Sequence, residues 1–165
     1  MGVNTKMDGI DKIIENALAE DIHTGDITTL SVLPQARNMR ARMIAKEPMV
    51  LAGLAVAQRV FAQLDPAIRF SAAFADGARL RKGDVLAGIE GDAAALLQGE
   101  RVSLNLLQRM CGIATMTAAY VKEVEGTGAR VVDTRKTTPG LRVLEKYAVR
   151  VGGGATTAPG STTGC

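Results

Sequence analysis

The sequence predicts a mixed α/β fold in two unequal parts, and three observations carry the prediction. Apolar residues recur at three- and four-residue spacing in several separate segments, the period of an amphipathic helix. Between them lie short alternating or β-branched stretches punctuated by glycine turns. At 165 residues the chain suffices for one ordinary domain or one domain with a fragment, not for two full catalytic domains. Apolar types make up 47% and charged types 22%, as in a soluble globular protein, and with no Trp, two Tyr and three Phe the core must rest on Val, Leu, Ile, Met and Ala.

Taken in order, Ile10, Ile13, Ile14, Ala17 and Leu18 predict a first amphipathic helix, with Asp8 and Asp11 placed where negative charge suits a helix start. The segment EDIHTGDITT turns at Gly25 into an extended piece. Met39, Ala41, Met43 and Ala45 alternate with Arg40, Arg42 and Lys46, the period of a half-buried strand. A second helical stripe, Leu54, Ala57, Val60, Phe61 and Leu64, stops at Asp65-Pro66 because proline cannot continue the hydrogen-bond ladder. Small strands follow at Ile68 to Phe74, Leu80 and Val85 to Glu90, with turns at Asp76-Gly77 and Lys82-Gly83-Asp84. Asp92 is placed to cap a long helix through Leu96, Leu104, Leu107 and Cys111, with a break near Gly112 and a further helix over Thr115 to Val124. Ala129 to Val132 is a short buried strand, and Pro139 suits the first turn of a last helix bearing Leu141, Leu144 and Ala148. The final 15 residues carry no charge and almost no large apolar side chain, so no further core element is expected from them.

Composition excludes several functions. A net charge of +3 is too mild for a nucleic-acid footprint, and so few aromatics leave little surface for stacking on bases. Two distant cysteines, Cys111 and Cys165, and the single His23 cannot build a zinc site or a disulfide framework. His23 is assigned no role, and Cys111 reads as a small buried hydrophobe. No run of about 18 apolar residues suggests a membrane span, and no export signal is seen, so a cytoplasmic protein is expected.

The densest polar cluster is DTRKTTPG, which places Thr134, Arg135 and Lys136 just past a predicted strand. Loops at strand C-termini carry function in α/β folds, and an Arg fork beside a compact Lys charge suits carboxylate or phosphate. Spacing alone is equally consistent with a solvated basic loop. Glu100-Arg101 by itself reads as surface helix charge, and Asn105, one turn on, reads as structural.

The segments ALAEDIHTGDITT, ARMIAKEPMVLAGL, ERVSLNLLQRMCGIATMT and DTRKTTPGLRVLEKYAVRVGGG resemble the quinolinate phosphoribosyltransferase family over about residues 8 to 154. The resemblance implies an N-terminal α/β sandwich over 1–111, the first part of an incomplete α/β barrel over 112–154 and a tail outside the family pattern over 155–165. It implies transfer of a phosphoribosyl group from phosphoribosyl pyrophosphate to quinolinate, with Mg²⁺, giving nicotinate mononucleotide, pyrophosphate and CO₂. Under it, Arg135 and Lys136 are catalytic, and Arg101, Thr134, Arg135 and Lys136 bind substrate, Arg101 across the interface of a homodimer or higher homo-oligomer. No metal ligand is assigned in this chain.

The resemblance implies that the glycines are followed by one variable residue, then Asn-His-Arg, a variable residue, Gly-Leu and an Asp shortly after, and this run is absent here. Reverse translation of Ala155 to Cys165 read one base out of phase yields Asn-His-Arg-Pro-Gly-Leu-Asp-Asp-Gly-Leu, so a single-base deletion after the Gly154 codon is expected, and sequencing the gene tests it. Only 54 residues follow Cys111, where a full barrel takes on the order of 200. The expectation is an open barrel, association through exposed edges and negligible turnover by this chain alone. Two other readings remain: a molybdenum-transport-associated homologue of the same fold, and a biotinyl- or lipoyl-like module resembling DGARLRKGDVLAGIEG, which has no lysine in a suitable attachment turn.

Overall fold

The computed structural model describes residues 9–22 and 38–157. The turn expected around Gly25, His23, Asp8 and Cys165 lie outside them. Strands β1 (Asn38–Ile44), β3 (Arg69–Ala72) and β5 (Val85–Asp92) form an antiparallel sheet in the order β1-β5-β3, and β2 (Met49–Val50) pairs with β4 (Arg79–Leu80) in a second. The register sets Arg40 and Arg69 on either side of Glu90 and Met43 opposite Ala87. Alternation along β1 turns Met39, Ala41 and Met43 inward and leaves Arg40 and Arg42 exposed, as the sequence predicts.

Helices α2 (Leu54–Leu64) and α3 (Ala93–Glu123) cover the inner face of this sheet, packing Leu54, Ala57, Phe61, Leu96 and Leu107 against Met43, Leu86 and Ile89. Among the described residues no helix lies over the outer face, which makes an open-faced α/β sandwich. On the opposite side of α3, α1 (Ile10–Asp21) and α4 (Arg142–Val151) share a second core with Ile14, Val60, Met110, Ala114 and Leu144. One long helix therefore serves two cores. Arg59 of α2 forks onto Asp11 of α1 with both N–O distances at 2.5 Å, so Asp11 is held by a cation rather than left to the helix dipole alone.

The Asp92 carboxylate accepts from the N–H groups of Ala94 and Ala95, the cap the sequence predicts. The expected break at Gly112 does not occur; α3 runs unbroken through all 31 residues. An interior glycine costs about 1 kcal/mol, and burial of Met110, Cys111 and Ala114 around it outweighs that. Near its far end, Thr115 accepts a hydrogen bond from the Val50 N–H at 2.8 Å.

After α3 the chain enters the start of an α/β unit. The strand expected over Ala129 to Val132 reduces to one parallel bridge, Val132 to Ala155, closed by Ala155 N–H to Val131 O at 2.9 Å and Asp133 N–H to Ala155 O at 3.0 Å. Extended chain, α4 and extended chain again make the crossover that parallel pairing requires. Ala155 and Thr157 thus enter the structure, contrary to expectation, because backbone pairing needs no large side chain. Pro139 does not start α4 either. Thr138 to Leu141 form a turn, Leu141 N–H bonding Thr138 O at 3.0 Å, with Gly140 at φ +80°. Proline followed by a glycine of positive φ is the pairing such a turn demands, and the helix begins only beyond it.

Candidate functional site

The turn between Val132 and α4 carries the run Asp133-Thr134-Arg135-Lys136-Thr137-Thr138 that stands out in the sequence. At its base Asp133 is buried, its side chain 2% exposed, and ion-paired with Lys146 at 2.7 Å. It also accepts from the N–H of Thr157 at 2.9 Å and from the Thr157 hydroxyl at 2.7 Å. Burial pushes the Asp133 carboxyl up, but the bonds from Lys146 and Thr157 outweigh this and hold it below its ordinary value. The carboxylate is ionised and its charge is already met.

Four side chains pin the loop above it. Thr134 Oγ1 accepts from the Lys136 N–H at 3.0 Å, a local side-chain turn. Arg142, from the first turn of α4, donates to the carbonyl of Arg135 at 3.2 Å and to Thr137 Oγ1 at 3.0 Å. Arg109, from α3, donates to Thr138 Oγ1. Glu145 accepts from Arg109 Nε at 2.9 Å and Nη2 at 2.5 Å through one oxygen, and from the Thr138 N–H at 3.4 Å through the other. Burial pushes the Glu145 carboxyl up, and the bonds from Arg109 and Thr138 hold it net below its ordinary value.

Arg135 and Lys136 themselves are exposed, and among the described residues neither guanidinium nor ammonium makes a hydrogen bond or an ion pair. Asp133, at the base of the loop, and Glu145, which bonds Thr138, are both taken by other cations. A fixed loop with two unmatched positive charges is suited to a multiply charged anion.

Of the residues singled out from sequence, Thr134, Arg135 and Lys136 share this loop. Arg101 stands apart, paired with Asp21 at 2.8 Å. It lies eight residues before Arg109, about 12 Å along the helix axis. Asn105 is exposed and fills no gap between helices. Sequence reading did not find Arg109, Arg142, Glu145 or Lys146 as supports of the loop. Only Arg142 and Glu145, one turn apart on a helix adjoining a basic loop, left a local trace.

Cys111 is buried, with its sulfur accepting from the Ala52 N–H at 3.4 Å, and burial pushes its thiol up. That fits a packing role. Among the described residues no three His, Cys, Asp or Glu side chains could hold a metal ion, and the loop's two acids are engaged by cations. Among the described residues, neither of the loop's acids is left unengaged to hold Mg²⁺. No helix of the described residues is long and apolar enough to cross a membrane.

Comparison with known proteins gives a consistent result. The sequence model for the N-terminal domain of quinolinate phosphoribosyl transferase matches residues 26–111, and that for the C-terminal domain matches 113–160. The chain is 47% identical over 143 residues to a probable nicotinate-nucleotide pyrophosphorylase (carboxylating) of Bacillus subtilis (strain 168), covering 87% of this chain and 49% of that protein. It is 46% identical over 144 residues to the nicotinate-nucleotide pyrophosphorylase (carboxylating) of Mycobacterium leprae (strain TN), covering 86% and 51%. The chain thus spans about half the length of the curated relatives it matches. The crystal structure of NadC from Streptococcus pyogenes superposes with a TM-score of 0.90 at 45% identity, covering 95% of this chain and 56% of that one. The nicotinate-nucleotide pyrophosphorylase from Francisella tularensis superposes with a TM-score of 0.87 at 34% identity, covering 93% and 54%.

Proposed function

The chain belongs to the quinolinate phosphoribosyltransferase family, and on that premise we propose that its 134–138 loop binds the anionic substrates of phosphoribosyl transfer to quinolinate. The reaction joins quinolinate to phosphoribosyl pyrophosphate and yields nicotinate mononucleotide, pyrophosphate and CO₂. The observation that carries the reading is the loop's charge state: among the described residues Arg135 and Lys136 are without acidic partners, while Asp133 and Glu145 are held by Lys146 and Arg109.

The roles follow from the chemistry. Quinolinate has two adjacent carboxylates, and the ribosyl donor carries phosphates, so cations must offset their mutual repulsion before the ring nitrogen can approach the sugar. As pyrophosphate leaves, the ribose C1 gains positive character, and no Ser, Cys or His nucleophile is needed. Orientation and charge stabilisation do the work. Arg135 and Lys136 are the catalytic residues in this reading, with the Thr134 hydroxyl as a further substrate contact. Arg101 joins them from a second copy of the chain, which agrees with its place at a distance from the loop in its own chain. Mg²⁺ belongs to the phosphoribosyl pyrophosphate complex, where it would offset the charge of the pyrophosphate. The protein acts in the cytoplasm as a homodimer or higher homo-oligomer.

Backbone amide NMR with added quinolinate tests this reading. Concentration-dependent shifts centred on residues 134–138 are expected. Shifts absent from that loop at saturating ligand would refute it.

A further inference from the structure

Arg109 and Glu145 do more than add one ion pair to the surface. Glu145 is 13% exposed and Arg109 42%, so the pair is partly withdrawn from water. It is also closed into a ring: Arg109 bonds both Glu145 and the Thr138 hydroxyl, while Glu145 bonds both Arg109 and the Thr138 N–H. Thr138 stands two residues from Lys136. On α4, one turn before Glu145, Arg142 holds the Arg135 carbonyl and Thr137.

This placement makes Glu145 a hazard to the loop it supports. Glu145 accepts from the Thr138 N–H, in the loop that carries Arg135 and Lys136, and lies one helical turn from Arg142; without another cation to hold it, its carboxylate is open to pairing with one of them, and Arg142 at i−3 is a natural helix partner. Pairing with Arg135 or Lys136 would neutralise the loop. Capture of Arg142 would release its carbonyl and hydroxyl contacts.

We propose that Arg109 is a positioning residue, which anchors Thr138 and occupies Glu145 so that this carboxylate neither neutralises Arg135 and Lys136 nor draws Arg142 off the loop. The inference rests on the reading of the loop as the quinolinate site and adds to it a residue that does not itself touch substrate. It makes a signed prediction that plain structural support does not: once Arg109 is gone, removing Glu145 as well should help.

The test uses the full 165-residue chain and its Arg109→Gln, Glu145→Gln and double variants, with thermal unfolding to confirm that each folds. Quinolinate binding is measured by calorimetry, and amide hydrogen exchange is followed over residues 134–138. Arg109→Gln is expected to weaken quinolinate binding about tenfold, the scale of a charged hydrogen bond. The double variant should recover most of that loss, and Glu145→Gln alone should lose less than Arg109→Gln. Exchange over 134–138 should quicken in Arg109→Gln while the core of α3 stays protected. A double variant that binds no better than Arg109→Gln, or unchanged loop exchange in Arg109→Gln, overturns the proposal. If the unmodified chain binds no quinolinate, it is the functional reading that fails, and the exchange result alone decides the positioning role. An Arg109→Gln chain that does not fold is replaced by Arg109→Lys, which keeps a cation for Glu145 and should bind quinolinate nearly as well as the unmodified chain; tenfold weaker binding would count against the proposal.

Discussion

The phenol of Tyr147 donates a 2.6 Å hydrogen bond to Asp76, and the same carboxylate accepts from the N–H groups of Gly53 at 2.8 Å and Leu54 at 3.1 Å. One side chain therefore caps α2 and holds α4, and so joins the regions matched by the N-terminal and C-terminal family domains. Burial, then the bond to Asp76 and its charge, push the Tyr147 phenol far above its usual value, so it stays a donor throughout the accessible pH range. Tyr147→Phe is expected to cost about 1 kcal/mol in urea unfolding. Asp76→Ala should cost more, because it also strips the α2 cap.

Asp133 and Lys146 give stability a pH signature. The folded pKa of Asp133 lies below its ordinary value, so the folded state holds fewer protons on this group than the unfolded one. Its contribution is complete above the ordinary carboxylate range, about pH 4 and upward, and is lost as pH falls through the folded value. Asp133→Asn should lower stability at pH 7 by about 2 kcal/mol, because the partly buried Lys146 loses its counter-charge. The variant should also lose less stability than the parent below pH 4, as measured by thermal unfolding across pH.

Two glycines should respond to alanine with opposite signs. A Cβ on Gly152 would stand 2.5 Å from the Ala114 carbonyl oxygen and 2.7 Å from Thr117 Cβ. Backbone of α3 cannot yield as a side-chain tip can, so Gly152→Ala should cost about 1–3 kcal/mol. Gly112 is helical with nothing within 4 Å of its added Cβ. Gly112→Ala should stabilise by about 0.5–1 kcal/mol. A loss of stability there, measured by denaturant unfolding, would contradict an unbroken α3.

Much of the fold was legible because its signals are local. Helix α2 with its stop at Asp65-Pro66, the Asp92 cap and the alternation along β1 all depend on neighbours within a few residues. Gly112 misled because the choice between break and continuation rests on packing against two cores, which no local pattern records. The uncharged stretch after Gly154 misled for a different reason, since Ala155 pairs through its backbone. At the site, Thr134, Arg135 and Lys136 stood out as a run. Their supports did not, for Arg109 meets Thr138 and Glu145 across 29 and 36 residues, and Asp76 caps a helix that begins 22 residues before it.

Calorimetric titration of quinolinate into the unmodified chain, Arg135→Ala and Lys136→Ala tests the central claim most directly. Each exposed cation should contribute about tenfold or more in affinity, the scale of a charge-assisted bond. Because neither side chain has a partner among the described residues, thermal stability should stay within about 0.5 kcal/mol of the parent. Unchanged quinolinate affinity in both variants would contradict the account.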